Sequence, residues 1–88
     1  MLWTIHLSLE AQKQLSRLPR DRQELIAKSI DQMGTDPFFG NVKPLKGKEW
    51  RGRFRKVASR YRLIFTVNYS EHVVEISEIL LRSEKTYR

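Results

Sequence analysis

The amino-acid sequence predicts an α+β fold: an N-terminal strand, a helical hairpin, and then a three-stranded antiparallel β-sheet, in the order β-α-α-β-β-β. Three observations predict it. Apolar residues alternate with polar ones at the start of the chain, they recur at helical spacing as far as residue 33, and three strand-like runs joined by short turns follow residue 49. A chain of 88 residues supports one shared hydrophobic core. We therefore expect residues 1–88 to form a single domain.

The first strand and the first helix are predicted by residues 3–18. Trp3, Ile5 and Leu7 alternate with polar residues, as in a strand with one buried face. Ser8 is a residue type that caps helix N-termini, and Glu10 follows in the first turn, where the helix dipole favours an acidic side chain. The apolar face of this helix comprises Ala11, Leu15 and Leu18.

A second helix follows the Leu18-Pro19 step. Proline interrupts the first helix and suits the first position of the next one, and Gly34 is predicted to end that second helix. The tight connection predicts an antiparallel helical hairpin on one face of the sheet. The apolar stripe of the second helix comprises Leu25, Ile26, Ile30 and Met33.

Residues 35–49 contain two prolines and two glycines and are predicted to form a loop. The three strands that follow are predicted for residues 50–57, 61–68 and 73–82, with connections short enough for hairpins. The side chains of the middle strand that face the helices are predicted to be Tyr61, Leu63, Phe65 and Val67.

The net charge is concentrated in the middle of the chain. It amounts to +7 overall, yet residues 43–62 carry nine lysines and arginines against one glutamate, and the segments on either side are close to neutral. A charge that served only solubility would be spread over the surface. A concentrated basic patch favours a polyanionic partner such as RNA.

Strand alternation predicts that several of these arginines lie close together. Arg51, Arg53 and Arg55 alternate along the strand predicted for residues 50–57, and Arg62 faces away from the helices in the next strand. Neighbouring strands lie about 4.8 Å apart, and like charges facing each other across a sheet are destabilising. A bound phosphate is the simplest reason for such an arrangement.

Several classes of protein and site are disfavoured. The chain has no cysteine, which removes disulfides and thiolate metal sites and favours a cytoplasmic protein. His6 and His72 lie in a strand and in a turn, so a two-histidine nuclease site is not expected, and neither is a bound metal or any other cofactor. No apolar run approaches the roughly 20 residues that a membrane span needs, and the N-terminus does not resemble a signal peptide.

The run LKGKEWRGRFRKVASRYRLIFTV resembles the core of the RelE/ParE superfamily of bacterial and archaeal toxins. The shared features are the Leu-Lys-Gly step, a basic strand, the Tyr-Arg motif at Tyr61-Arg62, and a closing strand in which an arginine precedes a tyrosine, as in ILLRSEKTYR. The resemblance extends over essentially all 88 residues. It implies a RelE-like fold and a toxin that an antitoxin protein neutralises.

Resemblance to the RNA-cutting, RelE-like branch implies an endoribonuclease that cleaves mRNA in the ribosomal A site. Arg62 matches the arginine that holds the scissile phosphate, Arg82 the arginine that stabilises the transition state, and Tyr87 the tyrosine that stacks on the substrate base. Arg53 and Arg55 stand where RelE has two lysines. The remaining basic residues of the patch are expected to bind RNA: Lys46, Lys48, Arg51, Lys56 and Arg60.

The sequence does not identify a single general base. Arginine is a poor base because its pKa exceeds 12. Some relatives carry a carboxylate just before the Pro-Leu-Lys step, where this chain has Lys43. Lys43, Lys46 and Lys48 are therefore candidates, with Glu78 and Glu84, otherwise expected to be surface residues, held in reserve.

Two other functions are alternatives to the nuclease. A ParE-like toxin would inhibit DNA gyrase by binding it, without chemistry of its own, although Arg82 and Tyr87 favour the nuclease. A basic RNA-binding module without toxicity is the third. The partners expected of the nuclease are an acidic antitoxin and the ribosome with its mRNA and rRNA.

Overall fold

The computed structural model describes residues 2–81, and within them two helices pack on one face of a five-stranded mixed sheet. The strands lie in the order β1-β5-β4-β3-β2; β1 is parallel to β5, and the other pairs are antiparallel. The elements are β1 (Thr4–Leu7), α1 (Leu9–Ser16), α2 (Arg20–Thr35), β2 (Val42–Pro44), a 3-10 helix (Lys48–Trp50), β3 (Phe54–Ala58), β4 (Tyr61–Asn68) and β5 (Val73–Leu81).

The α+β prediction is confirmed, and the sheet is larger than predicted. The N-terminal strand joins it beside β5, and the predicted loop contributes β2, which pairs with β3. A strand of three residues is too short to show alternation, and its Pro44 indicated a loop. Proline is tolerated there because β2 is an edge strand, so the ladder does not require its missing N–H.

The helix boundaries follow the predicted signals with two exceptions. Ser8 caps α1 as predicted, since its Oγ accepts the N–H of Ala11 at 3.0 Å. Pro19 is the N-cap of α2 rather than its first residue. α2 continues through Gly34, and the Gly34 carbonyl accepts the N–H groups of Leu2 and Trp3, each at 3.0 Å. No helix within residues 2–81 is long and apolar enough to cross a membrane.

The hydrophobic core lies between the helices and the sheet. Both helices and strands β3, β4 and β5 contribute fully or almost fully buried side chains to one cluster. The predicted inward set of β4 is confirmed, and Tyr61 belongs to it with 7% of its surface exposed. The buried cluster comprises Ala11, Ile26, Met33, Ala58, Tyr61, Leu63, Phe65, Val74, Ile76 and Ile79, and Val67 packs against it.

A β-bulge in β5 changes which side chains face the core. Ile64 pairs with Glu78 and Phe65 pairs with Ile76, which leaves Ser77 as an extra residue on β5. Core side chains therefore occupy even positions before the bulge and odd positions after it. Glu78 consequently lies on the face away from the helices, whereas simple alternation from Ile76 would have placed it in the core.

Candidate nucleic-acid interface

Three cationic side chains of the candidate site share the face of the sheet away from the helices, which we call the open face. Lys43 in β2 is directly opposite Arg55 in β3. In β4, Arg62 is opposite Val57, two positions along the same face from Arg55. The neighbouring strands β2, β3 and β4 thus each place one cation on the open face, as the alternation of β3 and β4 predicted for Arg55 and Arg62.

Arg55 has an unmet requirement for an acceptor. Its side chain is half-buried, and its Nη1 atom is buried without a hydrogen-bond partner among residues 2–81. A buried N–H group without an acceptor is unfavourable, and the opposed Lys43 adds like-charge repulsion. An anion bound on the open face would relieve both. Arginine is suited to this because its planar fork of donors matches two oxygens of a phosphate.

The predicted strand at residues 50–57 begins only at Phe54, which changes the positions of two arginines. Gly47 and Gly52 have φ values of 101° and 78°, and such left-handed backbone interrupts a strand. Arg51 therefore lies exposed in a turn after the 3-10 helix, so its predicted place in an alternating strand is wrong. Arg53 precedes β3, and its guanidinium carbon lies 5.8 Å from the centre of the Trp50 ring, a cation–π arrangement.

The assignment of Lys56 to the RNA-binding set is wrong. Lys56 lies opposite Leu63 on the helix side of the sheet and is only 2% exposed. Its Nζ donates a hydrogen bond to the Phe39 carbonyl at 2.7 Å and lies 5.4 Å from the centre of the Phe39 ring. Burial lowers the pKa of Lys56, and the Asp36 carboxylate opposes this shift. Lys56 attaches the loop after α2 to the sheet and is inaccessible to RNA.

The other predicted RNA contacts lie in exposed connections around the open face. Lys46 and Lys48 precede and begin the 3-10 helix, and Arg60 lies in the turn between β3 and β4. Their exposure leaves them available to backbone phosphates. Arg82 and Tyr87, to which the resemblance gives the transition-state and base-stacking roles, lie outside the described residues.

The histidines are separated from the arginines of the open face. His6 is in β1, which is at the opposite edge of the sheet from β2. His72 precedes β5, and its ring stacks on that of Trp3 with a centroid distance of 4.7 Å. Within residues 2–81, no three histidine, cysteine or carboxylate residues are grouped so that they would hold a metal ion.

Glu78 is the residue of the open face that sequence reasoning did not place. The register forms a continuous row across four strands: Lys43, Arg55, Ile64 and Glu78. The available signal was the polar pair Ser77-Glu78, which interrupts an otherwise alternating strand. A polar pair within an alternating pattern is compatible with a bulge, but it does not identify which strand absorbs the extra residue.

Solved toxin structures share this architecture over almost their whole length. RelE in the archaeal RelE–RelB complex from Pyrococcus horikoshii OT3 superposes with a TM-score of 0.80 at 21% identity, covering 96% of this chain and 99% of that one. The toxin–antitoxin complex RelBE2 from Mycobacterium tuberculosis gives 0.82 at 20% identity, covering 93% and 100%. The chain has the RelE-like toxin fold. The YoeB/ParE toxin from Agrobacterium tumefaciens has it as well, with a TM-score of 0.76 at 20% identity over 91% and 99% of the two chains.

The resemblance read from the sequence is therefore confirmed at the level of the RelE-like fold. No protein-family model and no curated protein matches the sequence itself. At identities near 20% the structural likeness establishes the fold. The open face is where the RelE-like fold brings the cations of this chain together.

Proposed function

We propose that this protein is the toxin of a toxin–antitoxin pair and an endoribonuclease that cleaves mRNA in the ribosomal A site. One observation carries the proposal: Arg55 and Arg62 share the open face, and a buried nitrogen of Arg55 lacks an acceptor within residues 2–81. Such a pair suits a phosphodiester, whose two non-bridging oxygens would meet both guanidinium groups.

The reaction is attack of a ribose 2′-hydroxyl on the adjacent phosphodiester. Negative charge accumulates on the phosphorane oxygens as the transition state forms. Cations that are already in position stabilise that charge without reorganisation, and one such contact contributes about 10²–10³-fold in rate. Arg62 and Arg55 would supply this stabilisation. The resemblance assigns Arg82 the same role and assigns base stacking to Tyr87.

The RNA partner would be held mainly by the cations surrounding the open face. Lys46, Lys48, Arg51 and Arg60 are exposed and would bind backbone phosphates of mRNA and rRNA. Each phosphate contact releases counterions, so ribosome affinity should fall steeply as salt rises. Because its substrate is mRNA on the ribosome, the protein would act in the cytoplasm.

The second partner would be an acidic antitoxin. Several of the structural neighbours come from toxin–antitoxin complexes. A protein with a formal net charge of +7 would associate quickly with an acidic partner, because electrostatic attraction raises the association rate. Such a partner would neutralise the toxin by covering the open face.

The alternative function is inhibition of DNA gyrase. The YoeB/ParE toxin among the structural neighbours supports this alternative. Such a toxin would use its basic surface to bind protein and would need no transition-state stabilisation. Its activity would therefore tolerate removal of a single arginine at the phosphate position.

The test is a translation extract to which purified protein is added, with the 5′ ends of a defined message mapped afterwards. We expect new 5′ ends inside codons, and far fewer with Arg62→Ala. Arg17→Ala is the matched control, since Arg17 is an exposed arginine after α1. Intact messages together with gyrase trapped on DNA would contradict the nuclease and support the alternative.

A further inference from the structure

The bulge in β5 is held by the side chain of its own Ser77 and by two side chains from outside the strand, Ser8 and Gln14. The Ser77 hydroxyl donates to the Ile64 carbonyl at 3.2 Å, and the Ser8 hydroxyl donates to the Ser77 carbonyl at 2.7 Å. The N–H of Ile79 donates to Gln14 Oε1 at 2.6 Å. These hydrogen bonds satisfy backbone polar groups that the interrupted β-ladder leaves without partners in the neighbouring strand. Specific hydrogen bonds thus stabilise the bulge, and the bulge directs Glu78 to the open face.

Glu78 and Lys43 lie at the two ends of the row that crosses β5, β4, β3 and β2. Ile64 and Arg55 separate them, and three strand spacings correspond to roughly 14 Å between their backbones. Ile64 is fully buried, and it keeps the carboxylate two strands from Arg55. Within residues 2–81 Glu78 forms no ion pair.

This spacing fits an in-line displacement at phosphorus. The attacking 2′-oxygen and the leaving 5′-oxygen lie on opposite sides of the phosphorus, and each needs a proton-transfer partner on its own side. A carboxylate at one end of the row and an ammonium group at the other meet this requirement. A phosphate between them would be within reach of the guanidinium groups of Arg55 and Arg62, which share this face.

We propose that Glu78 is the general base and Lys43 the general acid of the RNA cleavage; this inference rests on the proposed nuclease function. The Glu78 carboxylate takes the proton of the 2′-hydroxyl while the 2′-oxygen forms a bond to phosphorus. The bond from phosphorus to the 5′-oxygen breaks, and the 5′-oxygen takes a proton from Lys43 Nζ. The products are a 2′,3′-cyclic phosphate and a 5′-hydroxyl, and exchange with water restores both side chains.

Other carboxylates of the described chain are less well placed for this role. Glu75 is on the same strand and the same face as Glu78, but it pairs with Thr66 and His6, in a row without arginine. Asp36 is near the buried Lys56 on the helix side. Glu49 lies exposed in the 3-10 helix. Glu78 alone among these lies in the row that contains Arg55.

The surroundings of Glu78 are cationic toward β4, β3 and β2. Those strands place Arg62, Arg55 and Lys43 on its face, while Glu75 of β5 and His6 of β1 lie farther along the same face. From α1, the contact beside it is the uncharged Gln14 amide. Glu78→Gln removes the carboxylate and keeps the size of the side chain, so it isolates the proton-accepting role.

The experiment measures single-turnover cleavage of a ribosome-bound message with either an ordinary scissile phosphodiester or one whose 5′-bridging oxygen is sulfur. A thiolate leaves without needing a proton. We expect Glu78→Gln to lower the rate by about 10²–10⁴-fold on both substrates. Lys43→Met should be comparably slow on the ordinary message and recover on the sulfur-containing one. Glu78→Asp, which keeps the carboxylate, should be intermediate.

Glu75→Gln is the matched control and should cleave at the wild-type rate. Thermal unfolding of each variant verifies that the fold is intact. Equal rates for Glu78→Gln and Glu75→Gln, with active wild type, would overturn the role of Glu78 and leave the nuclease standing. Recovery of Glu78→Gln on the sulfur-containing message would also overturn it as the base. A wild-type protein that cuts neither message would refute the nuclease and this inference together.

Discussion

Arg55 and Lys56 are consecutive cations in β3, and their surroundings differ completely. Arg55 lies on the open face, where Lys43 is opposite it and one of its buried nitrogens has no acceptor within residues 2–81. Lys56 lies on the helix side, almost fully buried, with its charge satisfied by the Phe39 carbonyl. Arg55 lies on the face that we propose binds RNA, whereas Lys56 contributes to the packing of the fold. A count of charges along the chain therefore overstates the binding surface, since alternation sends neighbouring residues to opposite faces.

Among the cations, the largest effect should come from removing an open-face arginine. Arg62→Ala should lower the single-turnover cleavage rate by about 10²–10³-fold, because the lost charge acts mainly in the transition state. Ribosome affinity should change little, since Arg62 is one cation among many. Rate and affinity are measured separately by single-turnover cleavage and by ribosome sedimentation. An affinity loss as large as the rate loss would instead make Arg62 a binding residue.

On the helix side of the sheet, we expect substitution of a cation to reduce the stability of the fold. Lys56→Ala should reduce the free energy of unfolding by about 2–4 kcal/mol, because it leaves a cavity beside the core and removes the hydrogen bond to Phe39. Urea denaturation measures this change. Lys28→Ala, an exposed site on α2, should change the stability by less than about 0.5 kcal/mol. Equal stabilities for the two variants would remove the structural role of Lys56.

Lysines in the exposed connections should have a smaller effect, visible only in binding. Lys46→Ala should weaken ribosome binding a few-fold and reduce the slope of log affinity against log salt by about one unit. Cleavage at saturating protein should keep its wild-type rate. Lys13→Ala, on the helix α1, provides the comparison. A salt slope that is identical in the two variants would exclude a phosphate contact at Lys46.

The smallest effect should be a pH dependence of stability at Lys56. Burial lowers its pKa in the folded state from the ordinary value of 10.5, so over the window below 10.5 the unfolded chain binds more protons. The contribution of Lys56 to stability should therefore rise with pH across that window. Lys56→Met lacks this titration, so the difference in unfolding free energy, wild type minus variant, should grow as pH rises. A constant difference would refute the shift.

Local sequence signals predicted the elements well and their partners less well. The Ser8 cap, the break at Pro19 and the inward side of β4 all depend on neighbouring residues, and all three were predicted. The parallel pairing of β1 with β5 depends on residues distant in the sequence. The turn at Gly52 was missed because an alternating run of arginines resembled a longer strand.

The residues of the candidate site were likewise predicted correctly where local alternation determines their position, and not where it does not. Arg55 and Arg62 were placed on one face by alternation, because each lies in an uninterrupted strand next to the other. Lys56 was grouped with them because a count of charges along the sequence does not distinguish the two faces of the sheet. Glu78 was held in reserve as a base but was not placed on this face, because an extra residue on β5 reverses the alternation. Two of the bonds that hold the bulge come from Ser8 and Gln14, more than sixty residues earlier.

The parallel pairing of β1 with β5 also determines when the sheet can be completed during synthesis of the chain. Ser8 and Ser77, which are hydrogen-bonded, are separated by 69 positions, and at about 5–20 residues per second roughly 3–14 s pass between their synthesis. Until β5 is made, β1 has no strand to pair with and the open face lacks one of its edges. A newly made chain thus passes several seconds in a form without a complete open face, because β5 is synthesised after the other strands of residues 2–81.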